Sequence, residues 1–425
     1  MTEFSGRLPK QAWMSAPETV KVMEALHLDG GEARFVGGCV RDALANRKVI
    51  DIDIATPLKP EEVIERLKKS RIRFVPTGLK HGTVTAVVDG KPFEITTLRI
   101  DVVNHGRYAD VAFTADWKAD AARRDFTINA LSATTDGDIY DPFGGIRDLR
   151  LGRVVFVGEP EKRIAEDHLR ILRFFRFAAH FGATGFDGKL KPLDASALRA
   201  CAKDAALLQT LSAERVRQEV LKLLESPRCA DVWRVMLECG VVTQILPEAT
   251  AVDTLERLVA LEEKYADSGS TGKHGGAPLR RLAALLEITR EGLKSVIAAL
   301  RLSNAQAAQL DLMALPLDGV SAAMDGAAAR KLVYRQGGAA ALSLFLLAAA
   351  RDGAEANLPL LHAVATSFSP PSFPLQGEDV MKLGYAPGPG IGRILRELED
   401  WWLEQDFGPG RDECLARLAA RYGRK

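Results

Sequence analysis

Apolar and polar positions follow two different rhythms along this chain. In the first third the apolar residues come in short runs or in alternation, as strands require. Ala33–Val36 is a short apolar run ending in Gly37-Gly38, and Val49–Ala55 alternates apolar with acidic residues. Thr83–Val88 and Pro92–Arg99 are rich in Val, Thr and Ile, and Asp89-Gly90 stands between them. An Asp-Gly pair flanked by two β-prone runs predicts a hairpin. Pro60–Ser70 reads as an amphipathic helix entered at a proline. Beyond about Gly158 the strand signal stops. Glu161–Phe181, Ala213–Leu224, Ala251–Lys264, Leu279–Leu286 and Ile391–Leu403 carry apolar residues at helical spacing. Ser268–Pro278 is expected to be a loop, because its Gly, Ser and Pro leave little to pack. The pattern describes a small α+β head followed by a long all-α body.

Composition narrows the class. At 425 residues the chain exceeds what one core usually serves, so more than one domain is expected. Its 47% apolar and 27% charged residues are ordinary for a folded soluble protein. The longest apolar stretch, near Ala339–Ala350, falls short of the roughly 20 residues that span a bilayer. The opening MTEFSGRLPK lacks the apolar core of a secretory signal. Five scattered cysteines with no zinc-like spacing fit a reducing, cytoplasmic compartment. Net charge is only +1, but Arg123, Arg124, Arg163, Arg170, Arg173 and Arg176 crowd one third of the chain.

The chemistry-bearing residues lie in that head and just after it. Asp51-Ile52-Asp53, on a strand, puts two carboxylates on one face, where a hard cation such as Mg²⁺ relieves their repulsion. Gly37-Gly38 follows a predicted strand and precedes Arg41, a combination able to cradle phosphate. On their own, the acidic triplet is more often a solvated strand face and the glycine pair a plain turn. Together they describe a nucleoside triphosphate site. Glu94, on the next β-prone run, is placed to add a third carboxylate and complete a two-metal site. Arg123-Arg124-Asp125 opens a string that ends at Asn129-Ala130-Leu131 and could grip a phosphate and a ribose hydroxyl together. Asp167, Arg170, Arg173 and Arg176 follow an i, i+3 row, a ridge on a helix along which a nucleotide could lie. His81 is read as a turn histidine, and Trp401-Trp402 as helix core or as one buried and one exposed ring.

The order GGCVRD, DIDIAT, FEITTLR, RRDFTINAL, DPFGG, EDHLRILRFFR and SAERVR resembles the class II, bacterial-type tRNA nucleotidyltransferases and their sister poly(A) polymerases. The motifs cover roughly residues 34–225; the C-terminal half matches only in being helical. The resemblance implies an α+β fold: a nucleotidyltransferase head with a mixed β-sheet (20–157), a base-recognition neck (158–225), a helical body (226–368) and an RNA-binding helical tail (369–425). It implies that Asp51 and Asp53 hold Mg²⁺, with Glu94 as third catalytic carboxylate. Gly37, Gly38 and Arg41 would meet the triphosphate and Arg124 the nucleotide, with Asp125 helping to select ribose. Asp167 and Arg170 match the pair that reads C or A by its pairing edge, and Arg173 and Arg176 match further nucleotide contacts. Asp101–Asp120 corresponds to the family's flexible element, whose presence favours full CCA addition over addition of C alone. No His-Asp dipeptide marks an added phosphohydrolase domain.

The expected activity is addition of C, C and A to tRNA 3′ ends from CTP and ATP without a nucleic-acid template. A poly(A) polymerase of the same family is the nearest alternative, and a catalytically silent tRNA-binding protein is the alternative from another class. A small-molecule nucleotidyltransferase would need neither the long helical half nor a base-reading pair. Oligomeric state is not legible.

Overall fold

The structure is a computed structural model that describes residues 4–105, 108–186, 188–265, 276–287, 289–314 and 319–423. The chain divides into two compact units, one of residues 1–248 with 295–302 and one of residues 249–294 with 303–425.

The first unit begins with β1 (Phe4–Arg7), α1 (Pro17–His27), β2 (Arg34–Val36), α2 (Gly38–Leu44) and β3 (Asp53–Thr56). α3 (Pro60–Lys69), β4 (Arg73–Gly78), β5 (Thr83–Val88) and β6 (Lys91–Thr97) follow, then the two-stranded pair β7 (Arg99–His105) and β8 (Tyr108–Phe113). The head closes with α4 (Trp117–Ala122), β9 (Ser132–Ala133), β10 (Asp138–Tyr140) and α5 (Gly145–Arg150). Eight strands form one sheet in the order β1-β10-β9-β2-β3-β6-β5-β4. Among the described residues only β3 and β6 run parallel, so the sheet is mixed, and they are joined by the crossover that α3, β4 and β5 make. The predicted hairpin is present between β5 and β6. Asp89 and Gly90 have φ of +49° and +78°, as a two-residue turn with left-handed central positions requires.

Period-two alternation sorts the sheet into faces. Phe35, Ile54 and Ile95 point into a core closed by Val22 and Leu26 of α1 and Val63 and Leu67 of α3. Each such side chain, fully buried, contributes about 1.5–3 kcal/mol. Asp53 and Glu94 are thereby left on the other face. Strand β3 is shorter than the predicted Val49–Ala55, and Asp51 lies just before it. On one side its neighbour ends there: β2 pairs Phe35 with Ile54 and, after Val36, turns at Gly37 into α2.

Beyond the head the first unit is helical: α6 (Pro160–Glu166), α7 (Leu169–Phe181), α8 (Ala195–Asp204), α9 (Ala213–Leu224) and α10 (Cys229–Glu238). The single helix expected over Glu161–Phe181 is broken at Asp167, whose backbone is extended (φ −158°, ψ 107°). The ridge is therefore corrected: Arg170, Arg173 and Arg176 share α7, while Asp167 stands outside it, accepting the Leu169 N–H at 3.2 Å. Phe126, Phe156, Phe174 and Phe177 pack ring on ring, with centroids 4.8–6.3 Å apart, and tie the end of the head to α7.

The second unit is built from helices in its described residues, among them Val252–Lys264, Ala277–Leu285, Gly338–Asp352, Pro389–Glu404 and Arg411–Tyr422. Arg280 and Arg281 both pair with Glu262, at 2.7 and 2.6 Å, inside it. Trp402 is buried and Trp401 partly exposed beside Arg417, the second of the two expected arrangements. The expected loop at 268–278 lies outside the described residues up to 275, and a helix starts at Ala277. No helix among the described residues is long and apolar enough to cross a membrane.

Candidate active site

Register brings the acids together. In the parallel β3–β6 pair Asp53 is the direct partner of Glu94, so both carboxylates emerge from one face side by side. Asp51 precedes them, two residues from Asp53 and exposed, with Ile52 buried between. The Asp53 carboxyl is pushed up to about 6, first by burial, then by the negative charges of Glu94 and Asp51, against the pull of Arg124 and Arg41. Three carboxylates and two arginines thus feel one another at one spot. Among the described residues no group of three or more His, Cys, Asp or Glu forms a ready-made metal cage. Mutually repelling carboxylates open to solvent still fit Mg²⁺, which takes one or two protein carboxylates and completes its shell with water and substrate phosphate.

Gly37 makes the turn from β2 into α2. Its φ of +67° suits glycine, and a Cβ there would meet Arg124 Nη1 at 2.8 Å. One turn into α2, Arg41 lies against Asp42 at 2.8 Å, donates to Asn129 Oδ1 at 2.6 Å, and its guanidinium stands 4.6 Å from the Phe181 ring centroid. Arg124 donates to the Asn129 carbonyl at 3.3 Å and to Asp120 Oδ2 at 3.4 Å. Burial raises the Asp120 carboxyl, but Arg123 and Arg124 outweigh it and hold the group below its usual range.

Asp125 is buried with both oxygens taken up by protein donors. One accepts from the Phe126 N–H and from Asn129 Nδ2, each at 2.9 Å; the other accepts from Arg173 Nε at 2.7 Å. Desolvation would raise its carboxyl; Arg173 and Asn129 win and lower it. Arg173 also lies 3.5 Å from Glu219 on α9, and Arg176 lies 2.6 Å from the same carboxylate. A continuous polar chain, Arg41–Asn129–Asp125–Arg173–Glu219–Arg176, therefore links α2 to α7 and α9.

Asp167 and Arg170 do not pair with each other through their side chains. Asp167 Oδ2 accepts from Arg215 Nη2 of α9 at 2.6 Å. Arg170 pairs with Glu166 and donates to the carbonyls of Arg163 at 2.7 Å and Arg123 at 3.3 Å. Sequence reasoning placed Asp51, Asp53, Glu94, Gly37, Gly38, Arg41, Arg124 and Asp125 in the head and the other four on the neck; the polar chain connects Arg41, Asp125, Arg173 and Arg176. Sequence reasoning counted the Asn129 amide in the gripping string but did not single out Glu219 or Arg215. Asn129 and Arg215 stand inside motifs it quoted, and Glu219 could have been found as an acidic residue on the apolar stripe of Ala213–Leu224. On the same sheet face as Asp53, Arg34 is held 4.1 Å from the Trp117 ring and 3.8 Å from that of Tyr140, lining a cleft of about 990 Å³. Side chains of 101–111, within the flexible element, lie outside the described residues, and so do residues 106–107 entirely. His81 sits in a short turn of helix, Leu79–His81, as expected for a turn residue.

Known proteins carry the same pieces. A family model described as the Poly A polymerase head domain matches residues 33–155, and one described as the probable RNA and SrmB-binding site of polymerase A matches 192–252. The mitochondrial CCA tRNA nucleotidyltransferase 1 of Danio rerio is 33% identical over 409 residues, covering 91% of this chain and 87% of that protein. The CCA-adding enzyme of Geobacillus sp. (strain WCH70) is 38% identical over 221 residues, about half of each chain. Among solved structures, the CCA-adding enzyme of Bacillus stearothermophilus in complex with CTP superposes with a TM-score of 0.71 at 26% identity, covering 95% of this chain and 96% of that one. A motif order held on a shared fold, together with one residue in three kept across nearly the whole length of a relative, means that this chain belongs to the tRNA nucleotidyltransferase and poly(A) polymerase family.

Proposed function

We propose that this protein is a CCA-adding tRNA nucleotidyltransferase, extending tRNA 3′ ends by C, C and A from CTP and ATP. The single observation that carries the reading is the Asp53–Glu94 register pair with Asp51 beside it, faced by Arg41 and Arg124. In the reaction the RNA 3′ oxygen bonds to the α-phosphorus of the incoming triphosphate, and the bond to the pyrophosphate group breaks. Asp51 and Asp53 would hold Mg²⁺, which when bound would supply Lewis-acid activation of the hydroxyl and charge relief for the pyrophosphate. Glu94 adds the third carboxylate of the acidic face. Gly37 and Gly38 let backbone approach the triphosphate, while Arg41 and Arg124 balance its charge. Asp125 acts on sugar choice through Asn129 and Arg173, which it orients. Asp167 and Arg170 read the base, and Arg173 and Arg176 extend the nucleotide surface. The helical parts beyond residue 225, body and tail, hold tRNA chiefly through phosphates, so affinity falls as salt rises. Five cysteines without a disulfide support a cytoplasmic setting.

The test is incorporation on tRNA lacking its last three nucleotides, in Mg²⁺, with CTP and ATP separately and together. Growth by C, C and A followed by arrest, absent in Asp51→Ala, is expected. Long tails from ATP alone would make the chain a poly(A) polymerase, two C additions without A would make it a CC-adding enzyme, and no growth at all would leave a silent tRNA-binding protein.

A further inference from the structure

Asp167 is held by a side chain to which the functional reading gives no task. It lies in the break between α6 and α7 with extended backbone, its carbonyl accepting the Arg170 N–H at 3.0 Å. Its carboxylate has two anchors: Oδ1 accepts the Leu169 N–H at 3.2 Å, and Oδ2 accepts Arg215 Nη2 at 2.6 Å. Arg215 comes from another element, the first turn of α9, where its own N–H donates to the Ser212 carbonyl at 3.0 Å. Both side chains are about one-fifth exposed, so the ion pair lines the surface without being lost in the core. Arg170 is fixed independently by Glu166 and two backbone carbonyls.

We propose that Arg215 is a specificity-determining positioning residue, which fixes the carboxylate plane of Asp167 so that the site accepts C and A and refuses U and G. The inference rests on the reading of Asp167 as a base reader and adds the residue that makes its reading selective. Cytosine N4 and adenine N6 are amino donors, whereas uracil and guanine carry carbonyl acceptors at the matching edge position. A carboxylate offers acceptors only, so it rewards the amino group and opposes the carbonyl. That discrimination depends on where the oxygens stand. With the Leu169 anchor alone the carboxylate can swing about Oδ1; the planar guanidinium of Arg215 adds the second point and stops the rotation. Released, the carboxylate can turn aside, and the carbonyl of uracil or guanine then meets no fixed opponent. An Arg215 that merely braced α9 against the α6–α7 break would change all four nucleotides equally.

Single-nucleotide incorporation by the full chain on tRNA lacking its last three nucleotides, with each of the four triphosphates, separates these roles. Arg215→Ala is expected to lower the CTP:UTP ratio of kcat/KM by about tenfold or more, chiefly through a higher KM for CTP. Arg215→Lys should keep part of the ratio, and Asp167→Ala/Arg215→Ala should be no less selective than Asp167→Ala. Arg215→Gln gives the same readout if the alanine variant does not fold. Equal losses for all four triphosphates overturn the proposal, as does an unchanged ratio in Arg215→Ala when Asp167→Ala alters it. If Asp167→Ala leaves the ratio unchanged, the base-reading role falls and this proposal with it; the enzymatic reading is judged separately, by loss of all incorporation in Asp51→Ala.

Discussion

At the β3–β6 end of the site, burial together with the like charge of Glu94 and Asp51 raises the Asp53 carboxyl to about 6; at the α7–α9 end, Arg170, Arg173, Arg176 and Arg215 are each paired with a carboxylate. The head end holds unresolved like charge, a condition that a cation relieves. The neck end is internally balanced, so its donors and acceptors keep their places before any ligand arrives. One region stores a demand for ligand and the other supplies a rigid frame. Substitutions should therefore act oppositely on stability in the two places.

The largest effect belongs to the acids. Asp53→Asn is expected to lower incorporation by about a thousandfold or more. The same change should raise the melting temperature of the metal-free protein by a few degrees, because it removes repulsion. A melting temperature that falls instead would break the comparison. Next comes Glu219→Ala, which strands Arg176 beside a buried site and leaves Arg173 with Asp125 alone. Removing one partner of such a network costs about 3–5 kcal/mol, read as a lowered denaturant midpoint. Gly37→Ala forces a side chain into left-handed backbone against Arg124. About 1–2 kcal/mol of stability should be lost, with weaker CTP binding in a titration of the metal-free chain. The smallest effect is one of pH. A carboxyl whose folded value is raised binds its proton more tightly in the native state, so stability is gained as pH falls through about 6 toward the unfolded value and lost as it rises. Thermal melts of metal-free protein between pH 7 and pH 5 should show this gain shrink in Glu94→Gln, which removes one repelling charge.

Legibility in the sequence followed the range of the forces involved. The β5–β6 hairpin and α3 could be read because alternation, a left-handed turn pair and an entering proline are local signals. The carboxylate set was readable because Asp51-Ile52-Asp53 declares its own spacing, although the exact pairing of Asp53 with Glu94 needs the sheet. The break at Asp167 was hidden, since apolar spacing continues smoothly through it and neither Gly nor Pro marks it. Arg215 and Glu219 were missed as partners because each acts on residues more than forty positions away, a relation no local pattern encodes. Strands β1, β4, β9 and β10 also went unread. They are two to six residues long, and β4 is largely exposed, so no apolar period announces it.

The parallel register of β3 and β6 also has a bearing on the order of folding. Asp53 and Glu94 are 41 positions apart in the chain, with α3, β4 and β5 lying between the two strands. Closing so long a loop is entropically costly and slow compared with zipping a hairpin. The acidic face is thus expected to assemble later than the β5–β6 hairpin, and until it does the chain presents its carboxylates singly, as weak and separate ligands.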